Sequence, residues 1–500
     1  MDLPGPVTRM APGVGAGVPA AVRSSTLPAA RLPLRVLSYV LVRLRRAGLA
    51  QSPSSLVATA LATSLLTGCY TESSATGPTT ASATVVAARA EAPPREPLAA
   101  LEWPPMSQVL RFEDLEGAIL VPATLVPATG RDTAGDFVFD TGAGFLALDL
   151  PLARRLGLAD SAAPPAPVAL APRPLPRLQL GALQLDQVQP VMTVDIGVVR
   201  RVTGRPVLGL LGQSILTGRI LVIDYREKTL VILASGSSRA ARRVPPPSLA
   251  AALSPRAVAV PFRLEGDGKI VVRARVKGGP HAGRSPWLDL IVDTGATKTV
   301  FFRSALERAL PGWIDWPALR GLSAPTLTGD ARATMVRVPE VELAPFRGKA
   351  ARSRMDAAVL GGELGSALSE DVGRPVAGLL GYSFLKHYRF ALDFGQHVLW
   401  LDPAQGDVPD RPYEYSHPGL QLECVADTAR VVAVAEGSPA AEAGIKPGDR
   451  VVAIDGEPVS GGDVVALGRR LEGPPGSVLT LTLVRGGRTW TRRLVRRQLL

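Results

Sequence analysis

Beyond residue 105, the hydrophobic positions of the chain come in short runs that Gly, Pro and polar residues interrupt. Runs at residues 137–139 and 290–292 each precede a polar turn, and runs at 230–233 and 398–401 follow hairpin-like turns. Apolar runs of this length between turn residues are typical of β-strands. Gly (50) and Pro (46) are abundant while aromatic residues make up 5%, which favours short strands over long helices. The pattern predicts a mainly β protein.

The N-terminal part of the chain has a different pattern. A basic cluster at residues 43–46 precedes a mostly apolar run at 56–66, which is too short to span a membrane and has the size of a signal-peptide core. The run ends in Leu-Thr-Gly-Cys, with the cysteine at Cys69. A stretch rich in Ser, Thr, Ala and Pro follows, as expected of a tether.

This order resembles a bacterial lipoprotein signal. The resemblance implies a leader at residues 1–68, a lipid on Cys69 and a polar linker at 69–104. Because residue 70 is Tyr rather than Asp, it also implies anchoring in the outer membrane, facing the periplasm. An ordinary signal peptide or a buried apolar segment are the alternatives. The long stretch before the basic cluster suggests that translation starts further downstream.

The central part of the chain repeats itself at matching points. Each copy has an apolar run, an Asp-Thr-Gly-Ala turn and a later Gly-Leu-Leu-Gly. The two turns are Asp140-Thr141-Gly142-Ala143 and Asp293-Thr294-Gly295-Ala296, and the later motifs begin at Gly209 and Gly378. A single Asp-Thr-Gly is more often a plain turn, but two copies in the same order point to a duplicated lobe.

The repeated order resembles the lobes of retropepsin-like and pepsin-like aspartic proteases. The resemblance implies two tandem β-barrel lobes, at residues 105–240 and 241–408, with Asp140 and Asp293 as a catalytic pair that activates water. It also implies that Thr141 and Thr294 bond across the lobe interface, and that Gly142 and Gly295 let the backbone approach each carboxylate. Amide hydrolysis by water needs one carboxylate base and one carboxylic acid, which two neighbouring Asp residues supply without a metal or an organic cofactor.

Several departures from the family pattern leave alternatives open. Ala143 and Ala296 stand where pepsins have Ser or Thr, Gly144 has no match in the second lobe, and no flap Tyr is evident. We expect the flap of the first lobe at residues 160–176. An inactive pseudoprotease that binds peptides is therefore the alternative function. A monomer with an internal pair is expected, and a homodimer that pairs like lobes is the alternative.

The last part of the chain, at residues 412–500, resembles the PDZ domains of bacterial proteases. The resemblance rests on a Pro-Gly-Leu segment, a Gly-Ser-Pro-Ala-Ala-Glu-Ala-Gly run from residue 437 and the hairpin turn Asp455-Gly456. It implies a groove that binds a peptide as an added strand, with a helix near residues 463–471 as its other wall. The residues expected to hold the peptide are Gly419, Leu420, Gln421 and Leu422. A PDZ fold that merely packs against the lobes is the alternative.

Charge and cysteine content exclude several other classes. The net charge is +12, but residues 1–68 carry seven Arg and one Asp, so half of the excess lies in the leader. The remainder is modest, and we expect no nucleic-acid partner. Two Cys and four His, without metal-ligand spacing, predict neither a disulfide framework nor a metal site.

Overall fold

The computed structural model describes most of the chain from residue 95 to the C-terminus. The described residues are 95–127, 130–159, 168–169, 177–185, 191–197, 199–200, 205–234, 245–279, 283–326, 329–403, 411–425, 428–459 and 464–500. The expected fold class is confirmed, because this part of the chain is mainly β, with two related lobes followed by a smaller β-domain. Among the described residues no helix is both long and apolar enough to cross a membrane.

A six-stranded antiparallel sheet joins the two lobes. Its strand order is β1-β12-β11-β22-β23-β13. The strands are β1 (Gln108–Arg111), β11 (Arg219–Asp224), β12 (Thr229–Ala234), β13 (Val258–Pro261), β22 (Tyr388–Asp393) and β23 (Val398–Pro403). At its centre β11 of one lobe pairs with β22 of the other, in a register that matches Ile220 with Asp393 and Asp224 with Arg389. The sheet fixes the two lobes relative to each other.

Lobe 1 is a nine-stranded sheet in which β4 lies between β3 and β10. The strands are β2 (Glu113–Leu115), β3 (Ala118–Val126), β4 (Thr133–Phe139), β5 (Leu146–Asp149), β6 (Val168–Ala169), β7 (Arg177–Leu180), β8 (Leu183–Leu185), β9 (Val191–Val194) and β10 (Gly209–Leu211). Helix α1 (Leu150–Arg155) follows β5, and α2 (Pro247–Ala250) lies between the lobes in sequence.

Lobe 2 repeats this plan with eight strands, and β16 lies between β15 and β21. The strands are β14 (Arg263–Glu265), β15 (Lys269–Lys277), β16 (Leu288–Val292), β17 (Thr299–Phe302), β18 (Ala318–Thr326), β19 (Gly329–Leu343), β20 (Ala350–Leu360) and β21 (Gly378–Leu380). Its helices are α3 (Arg303–Ala309), α4 (Leu364–Val372) and α5 (Tyr382–Leu385). One apolar core runs through both lobes and the sheet that joins them.

The C-terminal domain is a separate sheet with its own apolar core. Its strands are β25 (Leu420–Val425), β26 (Thr428–Val434), β27 (Arg450–Ile454), β28 (Glu457–Pro458), β29 (Val478–Arg485) and β30 (Arg488–Val495), beside the pair β24 (Ser416–His417) and β31 (Arg497–Gln498). Helix α6 (Pro439–Glu442) begins at Ser438, whose hydroxyl accepts a bond from the Ala441 amide. Helix α7 (Val464–Leu471) lies where the sequence predicts the second wall of the groove.

The end of the predicted linker at residues 69–104 differs from the structure. The Arg95 guanidinium pairs with Asp402, Leu98 is fully buried, and the Trp103 indole donates to the Leu98 carbonyl. Leu98 packs on the outer face of the six-stranded sheet. Polar composition suggested a tether here, but these few anchoring side chains make residues 95–103 part of the fold.

Candidate active site

Two equivalent loops bring Asp140 and Asp293 together between the lobes. Each Asp directly follows a buried strand, β4 for Asp140 and β16 for Asp293. In each lobe a short strand, β10 or β21, runs parallel to the delivering strand, and a carbonyl at its end accepts a bond from the Asp amide. These bonds join Asp140 to Leu211 at 3.0 Å and Asp293 to Leu380 at 3.1 Å. These two hydrogen bonds fix the backbone of each loop against the neighbouring strand.

The threonines of the two loops bond to each other's loop. The Thr141 amide donates to Thr294 Oγ1 at 3.1 Å, and the Thr294 amide donates to Thr141 Oγ1 at 3.0 Å. Each hydroxyl then donates onward across the interface, Thr141 to the Val292 carbonyl and Thr294 to the Phe139 carbonyl. Four buried hydrogen bonds thus fix the position of one loop against the other.

Each carboxyl is held on its inner oxygen by its own loop. Gly142 and Ala143 donate to Asp140 Oδ1 at 2.8 and 3.1 Å, and Gly295 and Ala296 donate to Asp293 Oδ1 at 2.8 and 3.2 Å. The two Oδ2 atoms meet no hydrogen-bond donor among the described residues. That agrees with Ala, rather than Ser or Thr, at positions 143 and 296. The outer oxygens of the two carboxyls are therefore left to interact with a reacting group and with each other.

Burial and proximity set the protonation of this pair. Both carboxyls are fully buried, and each lies against the glycine of the other's loop. Burial raises the pKa of Asp140, and the Gly142 amide that donates to its carboxylate opposes part of that rise. Burial, and then repulsion by Asp140, raise the pKa of Asp293 well above its usual value. Two such groups cannot both ionise, so the pair holds one shared proton over a range of pH and titrates as a unit.

Glycines allow the close approaches that this geometry requires. A methyl group placed on Gly142 would lie 2.5 Å from the Asp293 carboxyl carbon, and one on Gly295 would lie 2.7 Å from that of Asp140. A methyl group on Gly212 or Gly381 would collide with a carbonyl of the catalytic loop in the same lobe. These four positions therefore need glycine because the backbone passes so closely.

The unusual Gly144 has a physical explanation in the structure. A methyl group at Gly144 would lie 2.5 Å from the carboxyl carbon of Asp267, which belongs to the turn between β14 and β15 of lobe 2. Asp267 in turn pairs with the buried Lys269 at 2.8 Å. Gly144 is thus required by the approach of the opposite lobe, and the difference between the lobes does not by itself indicate an inactive site.

Two further residues, which the sequence motifs did not single out, support each loop from within its own lobe. The Gln213 amide donates to the Thr141 carbonyl, and the Tyr382 amide donates to the Ala296 carbonyl at 2.9 Å. Each follows directly after a Gly-Leu-Leu-Gly motif. Their position after the repeated motif is the signal that could have identified them.

Asp136 and Asp289 lie outside the site. Asp136 pairs with Arg205 at 3.3 Å, and Asp289 pairs with Arg374 at 3.4 Å. Each Asp lies four residues before the loop Asp, on the strand that delivers it. Their pairing agrees with the interpretation that they are strand residues without a part in the chemistry.

The predicted peptide-binding segment of the C-terminal domain lies at the start of β25. Gly419 has φ +86, and its amide donates to His417 Nδ1 at 3.0 Å. Leu420 and Leu422 are buried in the core to which α7 also contributes. The Gln421 side chain is engaged with lobe 2, since it accepts from the Ser323 amide at 2.8 Å and donates to its carbonyl at 3.1 Å.

Several predicted features lie outside the described residues. These are the leader at residues 1–68, Cys69, the linker up to residue 94 and most of the expected flap at residues 160–176. No cluster of His, Cys, Asp or Glu that could hold a metal ion is found in the described part of the chain.

Comparison with known families agrees with this geometry. A model of aspartyl proteases matches residues 272–384, which contain the Asp293 loop, β21 and Tyr382. A model of PDZ domains matches residues 430–485. The chain therefore contains an aspartyl protease domain followed by a PDZ domain.

Solved structures are similar to parts of the chain. An aspartic proteinase from Irpex lacteus is 12% identical over 60% of this chain and 97% of its own, with a TM-score of 0.36. The PDZ domain of a carboxy-terminal protease from Vibrio cholerae, in complex with peptide, is 23% identical over 17% of this chain and 94% of its own, with a TM-score of 0.16.

A photosystem II D1 C-terminal processing protease is 27% identical over 17% of this chain, with a TM-score of 0.17. The match spans about a quarter of that protease, 24% of its length. A comparison with curated proteins finds no match.

Proposed function

We propose that the chain is an aspartic endopeptidase in which Asp140 and Asp293 activate water against a peptide bond. The observation that carries the proposal is the pair itself. Two fully buried carboxyls from different lobes each lie against the glycine of the other's loop, and the outer oxygen of each meets no hydrogen-bond donor among the described residues. Such a pair is costly to bury, and hydrolysis is the chemistry that uses it.

The two carboxyls divide the chemistry between them. In the singly ionised pair, the carboxylate accepts a proton from the attacking water while the carboxylic acid protonates the carbonyl oxygen of the substrate. Because the two carboxyls titrate as a unit, the acid and base roles belong to the pair, and either Asp140 or Asp293 can hold the shared proton at the start of the cycle. The bonds to the two Oδ1 atoms and between the threonines hold both groups in place, so little reorganisation is needed.

A peptide library tests the proposal directly. The chain without residues 1–69 should cleave some members, and a statine-type peptide that mimics the tetrahedral intermediate should inhibit it. Asp136→Asn is the matched control, because Asp136 precedes the Asp140 loop on the same strand but pairs with Arg205. Tight binding of the statine peptide without any cleavage would instead support a peptide-binding pseudoprotease.

We also propose that the PDZ domain binds a peptide or protein along β25. The support is the left-handed turn at Gly419, the buried Leu420 and Leu422 on β25, and the core that β25 shares with α7. A peptide with an apolar C-terminus should bind with micromolar affinity, which is about −8 kcal/mol. Gly419→Trp should abolish binding, since a side chain there meets Ser438. Unchanged affinity in that variant would place the peptide elsewhere.

Lipid attachment at Cys69 is a third proposal, supported by the signal-like order of residues 43–69. Mass spectrometry of the mature N-terminus should find a diacylglyceryl cysteine, in protein recovered with the outer membrane. Cys69→Ser should leave an unprocessed precursor. A mature N-terminus at another residue, in protein free of membrane, would contradict the proposal.

A further inference from the structure

A turn of lobe 1, Asp114–Gly117, lies between the PDZ domain and the catalytic loop of lobe 2. It connects β2 and β3. On the outer side of the turn, Leu115 packs against an apolar cluster of lobe 1 that is separate from the main core. It also packs against the core of the PDZ domain. The Glu116 carboxylate pairs with Arg411 at 3.2 Å and with Arg469 of α7 at 3.4 Å. The PDZ domain therefore holds the turn through Leu115 and Arg469, and Arg411, directly before the domain, adds a second ion pair.

The inner side of the same turn contacts Tyr382. The Gly117 amide closes the turn by donating to Asp114 Oδ1 at 2.8 Å, and the Tyr382 hydroxyl donates to Asp114 Oδ2 at 3.4 Å. A methyl group on Gly117 would lie 2.6 Å from the Tyr382 ring. The Tyr382 amide donates to the carbonyl of Ala296, and the Ala296 amide donates to the Asp293 carboxylate. A continuous set of contacts thus joins α7 to the catalytic carboxyl.

The PDZ domain also contacts lobe 2, at the β18–β19 hairpin. Beside the bonds between Gln421 and Ser323, the Glu436 amide donates to the Arg320 carbonyl at 3.0 Å. Ala435 is buried in the core cluster that includes Leu322. The PDZ domain therefore packs on the turn of lobe 1 and on the β18–β19 hairpin of lobe 2. A change in the position of the PDZ domain therefore alters its contacts with both the turn and the hairpin.

The other catalytic loop has the same kind of support without the PDZ domain. The turn between β14 and β15 brings Asp267 against Gly144, and Gln213 supports the Thr141 carbonyl. The equivalent turn of lobe 1 differs in that its outer side is covered by the PDZ domain. Control through the PDZ domain would therefore act directly on the Asp293 loop, and would reach the Asp140 loop only through the threonine bonds between the two loops.

We propose that the turn Asp114–Gly117 positions the Asp293 loop through Tyr382, and that the PDZ domain controls catalysis by holding this turn. The proposal rests on the proposed endopeptidase function and adds its regulation. On this proposal, an apolar peptide bound between β25 and α7 displaces Leu115, which packs against the core to which both elements contribute. Because a ligand shifts an equilibrium by its differential affinity for two states, such a peptide favours the state in which the turn is released. Peptide binding then lowers turnover.

The test removes the contact at α7 and measures the catalytic loop. Arg469→Met in the chain without residues 1–69 should speed amide exchange of residues 291–298 and lower kcat about fivefold at unchanged KM. Arg469→Lys should restore both values, since it restores the charge that faces Glu116. Arg430→Met is the matched control, because Arg430 pairs with Glu423 within the PDZ sheet. A saturating apolar C-terminal peptide should reproduce the effect of Arg469→Met in the unmodified chain.

Tyr382→Phe tests the path itself, since it removes the bond to Asp114 and keeps the ring. Combined with Arg469→Met, it should lower kcat no further than the more severe single change. Faster exchange in α7 with unchanged exchange at residues 291–298, or additive effects of the two changes, would overturn the proposal. If the unmodified chain has no turnover, the endopeptidase proposal fails, and the exchange measurement still decides whether the two sites are coupled.

Discussion

Thr294 shows how much one side chain contributes to the candidate site. Its hydroxyl accepts from the Thr141 amide and donates to the Phe139 carbonyl, and all of these groups are buried. Thr294→Ala leaves both backbone groups unpaired, which should destabilise the protein by about 1–3 kcal/mol. We expect a lower melting temperature and reduced turnover, while Thr294→Ser keeps both bonds and most of the stability. Thr491→Ala, on the exposed strand β30, is the control. Equal melting temperatures for the Ala and Ser variants would contradict this account.

His417 predicts how the PDZ domain responds to acid. Burial lowers its pKa from 6.5 to about 4, and its Nδ1 accepts from the Gly419 amide in the neutral form. The unfolded chain binds a proton near pH 6.5 but the folded chain does not, so stability is lost as pH falls from 6.5 towards 4. The loss should reach about 3 kcal/mol.

Thermal unfolding at pH 7 and pH 5 measures this loss. His417→Asn keeps an acceptor for the Gly419 amide and removes the titration, so its melting temperature should fall less between the two values of pH. An equal fall in both proteins would show that other groups set the acid response.

The residues of the pair could be predicted from the sequence, whereas their supports could be predicted only in part. Asp140 and Asp293 lie in a repeated motif, and Tyr382, which supports the loop of its own lobe, directly follows another repeated motif. Asp267 acts on the loop of the opposite lobe, and nothing near it in sequence marks that contact. The glycine at position 144 is explained by the Asp267 carboxyl, which a side chain at that position would meet.

At the scale of elements, the crossing strands β10 and β21 determine whether the loops can form. Gly381 follows β21, where a methyl group would collide with the carbonyls of Lys298 and Ala296. Gly381→Ala should therefore cost several kcal/mol and abolish turnover, because backbone rather than a flexible side chain must move. Gly361→Ala is the control, since its nearest atoms would lie 3.9 Å away. Circular dichroism during thermal unfolding measures the difference, and two equally stable variants would contradict it.

The apolar runs of the sequence predict where strands lie, but they do not predict which strands pair. Alternation and turn residues indicate where β11 and β22 lie, yet their pairing across the lobes depends on contacts far apart in sequence. The predicted end of the linker, at residue 104, differs from the structure for a related reason. The Ser-, Thr-, Ala- and Pro-rich stretch before residue 95 suggested a tether, but the contacts of Arg95, Leu98 and Trp103 make residues 95–103 part of the fold.

At the scale of the whole molecule, the two lobes of one chain share a sheet, a core and a pair of carboxyls. This arrangement makes the pair internal, and the PDZ domain packs on both lobes beside it. The account of the protein as an endopeptidase depends on that internal pair. Turnover should need both Asp residues of the same chain and should follow a bell-shaped pH dependence, since the pair works when singly ionised.

The most direct measurement compares turnover of Asp140→Asn, Asp293→Asn and the double variant over a range of pH. Each single change should abolish turnover, and the double variant should be no worse, because the two groups act as one unit. The unmodified chain should show a bell whose limbs belong to the pair, on the acid side of neutral. Wild-type turnover in Asp140→Asn beside complete loss in Asp293→Asn would contradict an internal pair, and would favour like lobes pairing in a homodimer.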